Sequence, residues 1–454
     1  MPREVFQGVE YSDPTALVFG RAARPVKTRA GLEIGGGLVY PELNFTLPPM
    51  LVDAAAMPEV LANYREVTAA VCKRAAELDV PGFVIEIETL PPMTFNPAWG
   101  VDVTKVVVDT IAEADARAVV RITPNDIREG RELEHMWHGR HWDAILETFA
   151  GAAAAGAELL AIESVGGKEV HDEATMYCDL AKSVFALTVL GVRDMERLWA
   201  AIAQIAAQTD TVAAGDTACG FANTAMVLAE KNYIPRVFAA VVRVVSAIRS
   251  LVAVECGARG PHKDCGYEGV YVKAISGIPI SMEGRTAACA HFSPVGNIAG
   301  CAADLWSNES IQNVKLLAGP APSVSFEQLA YDCRLFNAAS AQGCEKALWL
   351  RDLHAASDAS LDPQAYVLRP DVVVKLAAQI VRVDGDYERG KTAAQLTLDT
   401  LREAHATGEL RLDDREQMWL ETLSADADAL PETPEQLLAD MVDAEAFDPK
   451  HYDL

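Results

Sequence analysis

The stretch that decides the fold is Thr211–Met226, TVAAGDTACGFANTAM. A short apolar run, Thr211 to Ala214, stops at Gly215–Asp216. One cysteine then follows, among residues too small to pack around it, before a helical stretch begins. This is the form of a strand feeding a helix in a parallel βα unit, with a thiol presented where the strand stops. The form recurs on both sides of this stretch. GFVIEIE (Gly82–Glu88), AVVRIT (Ala118–Thr123), ELLAIES (Glu158–Ser164) and IPISMEG (Ile278–Gly284) are further predicted strands, and HWDAILETFAGAAAAG (His141–Gly156) and VRDMERLWAAIAQIAAQ (Val192–Gln208) are predicted helices. Several runs end in a polar residue and a glycine-containing loop, as where strand C-termini present chemistry. The expected fold class is α/β, a TIM (β/α)8 barrel, with a doubly wound sheet as the alternative. No G-x-G-x-x-G opens a helix after a strand, and the glycines of GLEIGGGLVYPELN (Gly31–Asn44) read as a turn rather than a phosphate cradle.

After about Arg351 the texture changes to charged helical segments without strand-like runs between them. The expected organisation is a barrel with an N-terminal extension over residues 1–350 and a helical C-terminal extension over residues 351–454. The 454 residues are half hydrophobic and carry 39 basic against 65 acidic side chains, a formal charge of -26. Such a field repels phosphate backbones and anionic lipid surfaces, so neither nucleic acid nor a membrane is expected as a partner. MPREVFQGVEYSDP at the start lacks the apolar core of a signal peptide, and a cytoplasmic protein is expected. The most apolar stretch, Val237–Val254, is interrupted by Arg243 and Arg249 and reads as a buried helix with both arginines on its wetter side. Nine cysteines, without any C-x-x-C, argue against a disulfide framework or a zinc knuckle.

Three positions stand out when the chemistry is sought at strand ends. Glu163 closes ELLAIE, Cys219 lies just past VAAGD, and Cys265 sits in GARGPHKDCGYEG (Gly257–Gly269), between two helical stretches. On a barrel all three can share one face. Two thiolates and a carboxylate suit zinc, and three protein ligands leave the fourth position open, as in a catalytic site. Helix N-termini after Cys219 and Cys265 would favour the thiolates. Taken singly, each of these cysteines reads more readily as a small core residue than as a ligand, and the glutamate as a loop cap or the partner of an arginine. A rival set, His135, His138 and His141 in EHMWHGRHW, reads better as a surface turn before a helix. Cys289 and His291 point the same way along CAHFSPVGN, and His291 is a candidate for handling a proton. RDLHAAS (Arg351–Ser357) approaches the D-x-H-x-x-G pattern of corrinoid-binding domains but has Ser357 for the glycine, so the chain is not expected to carry a corrinoid itself.

Six segments carry a resemblance to a known family: ESVGGKEVHDEA, GVRDMERLW, AAGDTACGFANTAMVLAEK, GPHKDCGYEG, SMEGRTAACAHFSPVGNIAG and DLWSNESIQNVKLL. Over nearly its whole length the chain resembles the zinc subunit of methanol:corrinoid methyltransferase. The resemblance implies a TIM barrel with one catalytic zinc held by a glutamate and two cysteines, which carry over to Glu163, Cys219 and Cys265. It also implies methanol as the methyl donor, the Co(I) corrinoid of a separate corrinoid protein as acceptor, and pairing of zinc subunits into a dimer within a heteromeric complex. The expected mechanism has zinc polarise the C–O bond while a proton donor at the barrel mouth offsets the electron-rich thiolates. A related methyl donor or acceptor, such as a methoxylated compound or a thiol, and an inactive scaffold for corrinoid proteins are the alternatives.

Overall fold

In the computed structural model, residues 3–44, 51–130, 133–283, 304–307 and 321–454 are described. A hairpin comes first, β1 (Arg21–Lys27) antiparallel to β2 (Glu33–Gly36). Eight parallel strands follow: β3 (Glu42–Asn44), β4 (Phe83–Glu88), β5 (Ala118–Thr123), β6 (Leu159–Ile162), β7 (Val212–Asp216), β8 (His262–Asp264), β9 (Ile280–Glu283) and β10 (Asp304–Ser307). Their order in the sheet is β7-β6-β5-β4-β3-β10-β9-β8, so the first strand of the set pairs with the last, at Glu42 against Trp306. Between β7 and β8 ladder pairing lapses. There the N–H groups of Arg259 and Gly260 donate to the carbonyls of Ala213 and Ala214, at 2.7 and 2.9 Å, and bring the edges together. With helices such as Met57–Glu77, Pro97–Glu113, Arg140–Ala154 and Gly191–Thr209 in the connections, this is the (β/α)8 barrel that the strand pattern led us to expect.

Strand alternation sorts the barrel wall into two faces. Ile85, Ile87, Val120, Ile122, Leu160 and Ile162 point outward and pack under the helices. Inward, the bottom layer is apolar: Val84, Val119, Leu159, Ala161 and Ala214 close around Leu32 and Ile34, delivered by the β1–β2 hairpin as a plug. The next layer up is ionic rather than branched-aliphatic. Glu42 pairs with Arg121 (Nε–Oε1 2.5 Å), whose Nη1 also donates to the Pro261 carbonyl at 2.9 Å, and Lys263 lies 2.7 Å from Glu86 Oε1. The charged layer explains why three strands were not legible. β3 (ELN), β8 (HKD) and β10 (DLWS) are short and rich in polar residues, so they lack the apolar run that marks a strand. The glycine run after Gly31, expected as a turn, supplies part of β2 and the turn into β3, with positive φ at Gly35 and Gly37.

The Arg236–Glu255 helix corrects an expectation. It is long and apolar enough to span a bilayer, yet every residue from Val237 to Glu255 is buried inside the protein. Arg243 and Arg249 face no water, since both are 0 % exposed. The cause is the C-terminal helices. Asp386–Thr407 and Asp414–Asp428 pack on this helix and share one apolar core with it, and the Glu416 carboxylate accepts the N–H groups of Arg236 and Val237 at 3.0 and 2.9 Å. That carboxylate satisfies donors which the helix itself leaves open, at the end where negative charge is favoured. Both arginines instead donate to buried acceptors, among them the backbone carbonyls of Gly266 and Ser164.

Candidate metal centre at the barrel mouth

Glu163 is the first residue past β6, Cys265 the first past β8 and Cys219 the third past β7. Three neighbouring strands of the barrel thus carry their ends to one point, and the ligand atoms of the three side chains all lie within 4.8 Å of one another. Cys265 comes from a strand, not from a loop between helices as expected. Its Sγ is 3.4 Å from Glu163 Oε1. Cys219 opens a short turn, Cys219–Asn223, that runs into the helix Thr224–Glu230, and its Sγ accepts Asn223 Nδ2 at 3.6 Å. The helix after Cys265 starts only at Gly269. The expected dipole support is therefore close at Cys219 and a turn away at Cys265. Cys265 is buried, whereas Glu163 and Cys219 are partly exposed, so the trio opens toward the strand C-termini.

The chemistry of the donor set fits a divalent metal. Burial pushes the Cys265 thiol well above its ordinary value, and Cys219, Glu163 and Glu283 push further in the same direction. Such a group is a poor anion by itself, and a dication among the three is the change that would reverse the balance.

The two buried arginines explain how the ligands are held. Arg249 Nη2 donates to the Ser164 carbonyl at 2.7 Å, directly after Glu163, and Arg243 Nη1 donates to the Gly266 carbonyl at 2.9 Å, directly after Cys265. Ser250 of the same helix donates to Glu268 Oε1 at 2.7 Å, and that oxygen accepts the Ala218 N–H at 2.6 Å, directly before Cys219. One buried helix therefore anchors the loops that carry Glu163, Cys219 and Cys265 through residues 243, 249 and 250, over about two turns. Gly215 contributes from β7. Its φ of +149° marks a bulge against β6, and a Cβ there would stand 2.5 Å from His262 Nδ1. The bulge turns Asp216 outward, where its carboxylate accepts the Ser164 hydroxyl at 2.6 Å and the Trp199 indole N–H at 3.1 Å.

A second acidic group lines the mouth. Glu88 ends β4, with Oε2 accepting Asn44 Nδ2 at 3.1 Å and Oε1 3.5 Å from Lys263 Nζ. Burial raises its carboxyl above the ordinary range, Lys263 opposes the shift, and Glu163 adds to it. Sequence reading placed Glu88 at the end of a strand without assigning it a role. The signal was there, since Glu88 closes its predicted strand, GFVIEIE, as a carboxylate at the strand end much as Glu163 does after ELLAI.

The other readings fall out. The His135 and His138 rings stack at 3.9 Å with Asp453 on His135 Nε2, while His141 packs edge-on against Phe95. These three do not converge, and among the described residues only the Glu163, Cys219 and Cys265 group is so placed. His135 is also buried rather than on a surface turn, because the chain's C-terminal residues cover it. RDLHAAS lies inside the helix Cys344–Asp358. Cys289 and His291 lie outside the described residues.

The fold and site define a (β/α)8 barrel protein with a candidate three-ligand metal site where such barrels carry out chemistry. The family described as methanol-cobalamin methyltransferase B subunit matches residues 3–453. The methanol–corrinoid protein co-methyltransferase of Methanosarcina barkeri is 37 % identical over 467 residues, covering 100 % of both chains. A chain in the crystal structure of the methanol:cobalamin methyltransferase complex from the same species superposes with a TM-score of 0.91 at 34 % identity, covering 99 % of this chain and 100 % of that one. The chain belongs to the methanol-cobalamin methyltransferase B subunit family.

Proposed function

We propose that this protein takes the methyl group of methanol and passes it to the cobalt of a corrinoid carried by a separate protein, using a zinc ion held by Glu163, Cys219 and Cys265. The observation that carries this reading is the convergence of the three side chains, from neighbouring strand ends, to within 4.8 Å at an open mouth. The named activity of the Methanosarcina barkeri relative, and the complex in which its structural counterpart was solved, support the same reading. Hydroxide is a poor leaving group, so charge developing on the methanol oxygen must be stabilised. Zinc in that position supplies Lewis acidity toward the oxygen.

The chain's own residues do the rest. Glu163 and Cys219 keep the open side of the site toward the incoming donor, while buried Cys265 forms its floor. Glu88 is the proton donor to the departing oxygen. Burial favours its neutral, proton-bearing form at a pH where an exposed carboxyl has lost it, and Asn44 Nδ2 steadies the side chain at Oε2. No disulfide joins the described cysteines to one another, which suits a reducing, cytoplasmic setting.

The test is methylation of reduced cobalamin, followed by its visible absorption. Methanol, a methoxylated aromatic compound and a methyl thioether are offered in turn, to enzyme as purified, after chelator treatment and after zinc is restored. Methanol-dependent methylation that disappears with the metal and returns with zinc is expected. Methylation from one of the other donors alone would reassign the substrate, and activity indifferent to chelation would remove the metal from the account.

A further inference from the structure

Lys263 is the interior residue that this chemistry does not yet use. It stands two positions before Cys265 on β8, so the alternation that aims the thiol into the barrel aims the lysine into the layer beneath it. Its side chain is 1 % exposed, and Nζ lies 2.8 Å from Glu163 Oε1, 2.7 Å from Glu86 Oε1 and 3.5 Å from Glu88 Oε1. The Glu163 oxygen it touches is the one 3.4 Å from Cys265 Sγ. A lysine present only to balance the barrel's ionic layer has no need of Glu163. Arg121 shows the alternative in the same layer, where it engages Glu42 with two nitrogens, while Glu86 already accepts the Thr123 hydroxyl at 2.5 Å.

Resting on the reading of Glu163, Cys219 and Cys265 as metal ligands, we propose that Lys263 is a positioning residue that draws charge out of Glu163, loosening the ligand set's hold on the metal and sharpening the metal's pull on the methanol oxygen. Two thiolates and a carboxylate bring three negative charges to a dication, which blunts its Lewis acidity. An ammonium on the carboxylate takes back part of that charge. Standing 2.8 Å from a ligand oxygen, it would also repel a dication held there, since like charges repel in a medium of low dielectric. Both effects weaken binding of the metal and strengthen its action on a neutral oxygen ligand.

The sign of the effect on affinity separates this role from a structural one. A residue that merely orients a ligand costs about 10–100-fold in metal affinity when removed. Removal of Lys263 should do the opposite. Zinc affinity, measured by competition with a chromophoric chelator, is expected to rise at least about tenfold in Lys263→Met, with kcat for methanol falling and KM little changed. Lys263→Arg should keep both near wild type. Because Lys263→Met leaves buried carboxylates without their cation, Lys263→Met/Glu86→Gln removes a cation and an acid together and should show the same rise. Zinc bound by wild type, but with unchanged or weaker affinity in whichever of these methionine variants folds, overturns the lysine's role and leaves the metal site standing. Wild type that takes up no zinc overturns the metal site and the lysine's role with it.

Discussion

Cys265→Ala is expected to leave a folded protein that carries almost no metal and transfers methyl groups at least about 10³-fold more slowly, a loss of the size that electrostatic stabilisation of developing charge supplies. In the proposed site the thiol is one of three protein ligands, and apart from Cys219, already a ligand, its described neighbours Glu163, Glu283 and the Thr217 hydroxyl, 3.8 Å away, are oxygen donors without the same softness. The fold should tolerate the change. Removing one buried sulfur costs about 1 kcal/mol, and in the metal-free protein the substitution also relieves the crowding of acidic groups that raises this thiol. Cys219→Ala should behave alike with an even smaller stability cost, because that side chain is partly exposed. Elemental analysis and the methylation assay on both variants check this, and full activity in either would remove that cysteine from the ligand set.

Glu88→Gln should cost on the order of 10²–10⁴ in kcat, the usual contribution of a general acid. Glutamine keeps the shape and can still accept Asn44 Nδ2, but it carries no acidic proton. The pH dependence follows from the direction of the shift. Burial raises the Glu88 carboxyl, so the active, protonated form persists above the ordinary carboxylate range and is lost as pH rises through the raised value. The wild-type rate should therefore be flat on the acid side and fall as pH rises, and the glutamine variant should lack that alkaline fall. A variant with wild-type kcat and an unchanged profile would place the proton donor elsewhere, and His291 is the other residue the sequence offers.

What the sequence could show of this site depended on which strands announced themselves. β4, β5, β6, β7 and β9 did so through apolar or β-branched runs, because their outward faces pack under helices. With β6 and β7 in hand, Glu163 and Cys219 fell at strand ends. β8 is His-Lys-Asp, three polar residues buried in the barrel wall, so Cys265 read as a loop residue and its place rested on the KDC segment of the family resemblance. Arg243 and Arg249 were misplaced for a related reason. Hydropathy sends a charge to water unless an acceptor is known to wait inside, and their acceptors are backbone carbonyls after Glu163 and Cys265, far along the chain. The pairing of Lys263 with Glu86, Glu88 and Glu163 was hidden likewise, since cross-barrel neighbours leave no periodic trace in a single sequence.

In the proposed site one metal is held by two sulfurs and one carboxylate. X-ray absorption at the zinc edge of the purified protein reads this directly. About one zinc per chain, with two sulfur scatterers near about 2.3 Å and lighter oxygen atoms near about 2.0–2.2 Å, is the expected result. Zinc with four sulfurs, zinc with none, or a fully active protein without zinc would contradict it.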